Sequence, residues 1–274
     1  MTPTTSAVAT APPATSTVAS EQPTPAPDLA HPVGVIAIGH SALTGEGTAG
    51  ASQPNLEASW ATGTTSSVNS IATRLIQALP DTAGHVSNKA KGGAPARELL
   101  TQAKAAMREV PVPLLAIIDT IDNDIRCDAA TVAQVGKSIN EALAYIHDAS
   151  PNTKILVVDQ PGRPSVDFVK RVVAAHPEMK ATAFTWNDEC SFYDASGKLD
   201  EAAFEKLTVA IDAYEAEQSR VCKLVPNCFD DGGVRRAYID TLETYSPDFA
   251  HFNVRGQTTQ AALLWPVVQG ILGL

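Results

Sequence analysis

Short, unbroken apolar runs alternate along this chain with longer stretches in which apolar residues recur every three or four positions. Val33 to Ile38 (VGVIAI), Pro113 to Asp119 (PLLAIID) and Lys154 to Asp159 (KILVVD) are of the first kind, as expected of strands buried on both faces. His85 to Asn88 and Ala181 to Trp186 read as shorter strands. The helical period covers Ser66 to Leu79, Pro95 to Glu109, Ala130 to His147, Ser165 to Ala175, Asp200 to Ser219 and Gly233 to Thr244. A last helix, Gln257 to Leu272, is expected to be interrupted near Pro266, because proline has no N–H for the helical ladder. Strands alternating with helices predict an α/β fold, a three-layer α/β/α sandwich with a central parallel sheet. In such sheets the chemistry lies just beyond the C-terminal ends of the strands.

The N-terminal stretch breaks the pattern. MTPTTSAVATAPPATSTVASEQPTPAPDLA is almost wholly Thr, Ser, Ala and Pro, too poor in large apolar side chains to offset the entropy of ordering. Residues 1–31 therefore read as a disordered tail or linker, and 32–274 as one folded domain. A formal charge of −10 without clustered Lys or Arg argues against a nucleic-acid partner. No run reaches the roughly 18 apolar residues of a transmembrane helix. The N-terminus also lacks the basic and apolar segments of a signal peptide. That leaves a cytosolic protein, or one whose export signal or anchor is not part of this sequence.

The cysteines bear on that choice. Cys127, Cys190, Cys222 and Cys228 form no CxxC pair and no metal-finger spacing. Cys222 and Cys228 bracket a short turn, which would leave Cys127 to pair with Cys190. Two disulfides are expected ahead of four buried thiols, and they imply an oxidising, secreted or extracytoplasmic setting.

Four places carry residues suited to chemistry. Ser41 follows the first strand in Gly39-His40-Ser41-Ala42, where a tight turn can expose a hydroxyl beside a free N–H; the plain alternative is a polar cap. Asp248 and His251 stand three positions apart, so one turn can set the carboxylate on one imidazole nitrogen and leave the other free; alone, such a pair is an ordinary loop hydrogen bond. Gly92 and Gly93 in NKAKGGA can bring a backbone N–H close to a ligand. Asn123, in Ile121-Asp122-Asn123-Asp124, has an amide able to donate to an oxyanion, although Asn and Asp also favour turns.

The order of these blocks resembles that of the SGNH/GDSL hydrolases, from about Val33 to Leu272. The stretches SWATGTTSSVNS and TIDNDIRCD resemble secreted actinobacterial members. The resemblance implies the flavodoxin-like α/β/α fold and a serine esterase. Ser41 would be its nucleophile, His251 its base and Asp248 the orienting acid, with Ser41, Gly93 and Asn123 as the oxyanion hole. It implies a small-molecule, lipid or glycan ester as substrate, a cell-envelope glycan or glycolipid among them, and neither metal nor organic cofactor. Two departures stand out. His40 replaces the Asp of Gly-Asp-Ser, which is expected to alter the loop or the pH profile. Ile121 replaces the Gly of Gly-x-Asn-Asp, which is expected to make the pocket wall tighter or more apolar. An acyltransferase using the same residues is the nearest rival, and a non-catalytic glycan-binding protein on a decayed hydrolase scaffold is the other. Trp60 and Trp186 are expected in the core ahead of a sugar cleft.

Overall fold

The computed structural model describes residues 28–50, 53–178, 185–186, 190–194 and 196–274. Its centre is a five-stranded, all-parallel sheet in the order β2-β1-β3-β4-β7. The strands are β1 (Val35–Gly39), β2 (Val86–Asn88), β3 (Leu115–Asp119), β4 (Lys154–Val158) and β7 (Cys228–Asp230). Each of the three central runs sends alternate side chains to opposite faces, as the two-residue strand period requires. Ile36, Ile38, Ala116, Ile118, Ile155 and Val157 face one core cluster, while Val35, Ala37, Leu115, Ile117, Leu156 and Val158 face another.

Helices cover both faces. On the first lie α2 (Leu99–Glu109), α3 (Val132–Ala149), α4 (Val166–Ala175) and α5 (Glu201–Cys222). On the second lie α1 (Ile71–Ala78) and α6 (Val254–Leu272). This is the expected three-layer α/β/α sandwich. No helix among the described residues is long and apolar enough to cross a membrane.

Several expected boundaries shift. α1 starts at Ile71 rather than Ser66, because Asn69 takes a positive φ of 48° and Ser70 Oγ caps the helix from Thr73 N at 3.1 Å. Of the short strand expected over Ala181 to Trp186, residues 181–184 lie outside the described ones. Thr185–Trp186 (β5) pairs antiparallel with Cys190–Ser191 (β6), apart from the main sheet.

Gly233 to Thr244 is not a helix. Gly232 and Gly233 take positive φ, the chain closes a few irregular turns, and the fully buried Arg235 enters the interior. α6, by contrast, begins at Val254 and runs through Pro266 without interruption. Pro266 is exposed, while Ala261, Leu264 and Val268 anchor both halves of the helix in one core. That packing offsets the roughly 3 kcal/mol cost of an interior proline.

Cys222 and Cys228 form a disulfide between the end of α5 and the start of β7. None of the described cysteines is free. The side chain of Cys190 lies outside the described residues, so its pairing with Cys127 stays an expectation.

Candidate active site

Every residue singled out as a catalytic candidate lies beyond the C-terminal ends of β1, β2 and β3 or in the loop before α6. At the end of β1, Gly39 has a φ of 143°, and a Cβ there would lie 1.8 Å from the Asp119 carbonyl oxygen. Only glycine fits so close an approach. Gln102 of α2 holds this turn from both sides, accepting from Gly39 N at 2.6 Å and donating to Gly39 O at 3.0 Å. Ser41 then opens a single 3₁₀ turn, Ser41–Leu43, with His40 Nδ1 accepting from Ala42 N at 3.3 Å as its cap. Ser41 is 7% exposed.

The His251 loop packs directly on the loop that follows Ser41. A Cβ on Gly47 would meet the Cβ of His251 at 2.7 Å. His251 Nδ1 lies 2.8 Å from Asp248 Oδ2, and Asp248 Oδ1 accepts from Ser246 Oγ, Ala250 N and His251 N at 2.6–3.0 Å. An Nδ1–H directed at a carboxylate leaves Nε2 as the acceptor of a neutral ring. Burial pushes the Asp248 carboxyl up, but these hydrogen bonds prevail and hold it well below the usual carboxylate range. Burial likewise works against the His251 imidazolium. The Asp248 hydrogen bond and the charges of Asp248, Glu46 and Asp122 outweigh it and raise the His251 pKa.

Ser41 Oγ and His251 Nε2 share no hydrogen bond among the described residues. What faces Nε2 is Glu46 Oε1, 3.9 Å away, on a carboxylate from the Gly-rich loop.

The glycine loop runs beside the end of β1, with Lys91 N donating to Gly39 O at 3.1 Å. A Cβ on Gly92 would meet Glu46 Oε2 at 2.6 Å, whereas one on Gly93, φ 74°, would meet nothing within 4 Å. The N–H groups of Ser41 and Gly93 have no hydrogen-bond partner among the described residues. Asn123 Nδ2 donates to Ala94 O at 3.3 Å, which sets its amide against the same loop with one N–H to spare.

Ile121 departs from expectation. It is 1% exposed and belongs to the core cluster beneath α2 and α3 rather than to a pocket wall. Its φ is 70°, a left-handed conformation in which a β-branched residue is strained by about 1–2 kcal/mol. The position keeps the backbone shape that suits glycine and puts the isoleucine side chain into the interior.

Sequence patterns missed two groups. Glu46 stands between two glycines and reads there as a solvated loop charge, yet it is 8% exposed. The other is the buried chain His40–Asp119–Arg235. His40 Nε2 lies 3.2 Å from Asp119 Oδ1, and Arg235 Nη1 donates to Asp119 Oδ2 at 2.8 Å. Burial disfavours charge on Asp119, but Arg235 and His40 hold its pKa low. Trp60 is fully buried, and the Trp186 side chain lies outside the described residues. Among the described residues, no cluster of three His, Cys, Asp or Glu side chains is placed to hold a metal ion.

No protein-family model matches this sequence, and a comparison with curated proteins finds no match. Solved structures do match. An extracellular lipase from Streptomyces rimosus is 14% identical, with 87% of this chain and 99% of that chain covered and a TM-score of 0.53. A family two carbohydrate esterase from Clostridium thermocellum, solved with cellohexaose, is 13% identical, with 91% and 67% covered and a TM-score of 0.51. Another from Cellvibrio japonicus is 14% identical, with 91% and 64% covered and a TM-score of 0.50. At such identities the likeness is one of fold, the α/β architecture with a central parallel sheet.

Proposed function

We propose that this protein is a serine esterase. One observation carries the reading: His251, held at Nδ1 by Asp248 and free to accept at Nε2, packs on the loop that presents Ser41. His251 takes the Ser41 Oγ proton as Oγ attacks an ester carbonyl. The N–H groups of Ser41 and Gly93 and the Asn123 amide receive the oxyanion, each such donor contributing about 10²–10³ in kcat. The imidazolium, stabilised by Asp248, then protonates the departing alcohol. A water deprotonated by His251 attacks the acyl carbonyl and restores Ser41. The names of the fold neighbours, a lipase and carbohydrate esterases, support ester chemistry.

A glycan or glycolipid ester is the substrate class we favour. An open groove of about 400 Å³ runs between residues 56–64, α1 and β2, and it mixes Glu57, Thr62, Asn88 and Lys89 with Leu56 and Ile76. Its lining residue Asn88 donates to Leu43 O of the Ser41 turn at 2.8 Å, while none of the catalytic candidates lines the groove itself. The Cys222–Cys228 disulfide supports an extracytoplasmic location.

The test is hydrolysis of p-nitrophenyl acetate, butyrate and octanoate beside Ser41→Ala, with fluorophosphonate labelling of both. Loss of about 10⁴-fold or more in the mutant is expected, with one adduct per wild-type chain. Equal rates, or a wild type that takes no label, would overturn the reading. Addition of a sugar acceptor during turnover separates hydrolysis from transfer.

A further inference from the structure

Under the Ser41 turn lies a buried polar group that the esterase mechanism does not use. Trp60, Arg235 and Gln260 are fully buried, and Gln257 is 1% exposed. Their contacts form one continuous patch. Arg235 Nε donates to Gln260 Oε1 at 2.9 Å, and Trp60 N donates to Gln257 Oε1 at 2.9 Å. The Arg235 guanidinium carbon lies 5.5 Å from the centre of the Trp60 ring. Asp119 spends one oxygen on Arg235 Nη1 and the other on His40.

Every side-chain acceptor of the patch is thus engaged, while four donors are not. Trp60 Nε1, Arg235 Nη2, Gln257 Nε2 and Gln260 Nε2 have no partner among the described residues. One such buried donor costs about 1–3 kcal/mol, and a charged one more, so four on touching side chains call for a guest. A water would accept from two of them but would have two protons of its own to place. An acceptor-only guest has none.

We propose that Trp60, Arg235, Gln257 and Gln260 bind a small monovalent inorganic anion, of which chloride is the simplest. The Arg235 guanidinium brings positive charge to the patch with Asp119 on its Nη1. Asp119 and Asp122, the latter 3.9 Å from His40 Nδ1, draw His40 toward its charged form against the burial that opposes it. Through Asp119 and His40 the site reaches the residue immediately before Ser41. The proposal stands whether or not Ser41 is a nucleophile.

Crystals of the full chain grown in bromide test it directly. An anomalous peak within hydrogen-bond distance of the four donors is expected; a water oxygen there without anomalous signal would overturn it. In solution, chloride or bromide exchanged for gluconate at constant ionic strength is expected to raise the thermal midpoint saturably, by about 3–5 °C at ten times the dissociation constant. Trp60→Phe, which keeps a ring but loses one donor, is expected to weaken the response at least tenfold. Trp265→Phe, whose indole lies under Arg74 instead, is expected to retain it. Identical wild-type midpoints in halide and gluconate would sink the idea, as would an equal response in Trp60→Phe. Should Trp60→Phe fail to fold, the wild-type bromide map decides alone.

Discussion

His251 needs its neutral form to act as a base, and three carboxylates surround it. Because Asp248, Glu46 and Asp122 raise its pKa against burial, the acidic limb of kcat/KM is expected above the ordinary imidazole value of about 6.5. Glu46→Gln removes one of these charges, so the limb should move to lower pH; a pH–rate profile that does not move would refute this role for Glu46. Ile121 offers a separate test. Truncation to Ala empties a core position and is expected to cost about 2–5 kcal/mol. Ile121→Gly removes more side chain but relieves the left-handed strain, so it should be no less stable than the Ala variant. Denaturant unfolding in which Gly is worse by about 1 kcal/mol would show that the positive φ carries no cost. These residues also mark what was readable at this scale. Ser41, Asp248 and His251 stood out because their chemistry coincides with a strand end and a three-residue spacing. Glu46 and Arg235 did not, because contacts distant in sequence bury them: Arg235 meets Asp119 116 positions away.

At the scale of elements, legibility followed length and burial. β1, β3 and β4 are apolar on both faces and could be read within a residue or two. β7 was not read: like β2 it is three residues long and paired on one side only, but where the central residue of β2, Ser87, is buried, the central residue of β7, Phe229, is exposed. Gly233 to Thr244 misled for the opposite reason: its apolar spacing imitates a helix, while two glycines and the demand for Arg235 in the core set the backbone. The edge strand β7 is instead secured covalently through Cys222–Cys228. A loop this short gives an entropic stabilisation of about 2–3 kcal/mol. The double variant Cys222→Ser/Cys228→Ser is therefore expected to lose about that much in guanidinium unfolding, with β7 and the end of α5 showing the largest rise in hydrogen exchange. A uniform rise across β1 and β3 would mean that the bridge supports the whole sheet rather than its edge.

Over the whole molecule, the proposed division at residue 31 predicts that removing residues 1–27 leaves the thermal midpoint unchanged, since a stretch almost wholly of Thr, Ser, Ala and Pro has too few large apolar side chains to offset the entropy of ordering. A lower midpoint would mean that the segment packs on the domain. One large contribution to the pH dependence of stability lies elsewhere, at the C-terminal end of β4. Burial first, then the nearby charges of Glu215 and Asp231, push the Asp159 pKa up to about 7. Arg163 opposes that shift without cancelling it, being itself paired with Asp212 and Glu215. The sign follows from proton binding. Between an unfolded value of about 3.9 and the folded value, the native state keeps a proton that the unfolded chain has released. Stability therefore falls as pH rises through that window, and the penalty is complete above it. Asp248, whose folded pKa is depressed, acts the other way and contributes stability that is lost as the medium turns acid. The two together place the stability maximum on the acid side of neutrality, in keeping with a chain of net charge −10 whose self-repulsion also grows with pH. Asp159→Asn removes the first effect while leaving the second in place. Its thermal midpoint should match the wild type near pH 4 and exceed it by several degrees at pH 8. A variant that gains equally at both pH values would show that Asp159 is unfavourable for its packing rather than its charge.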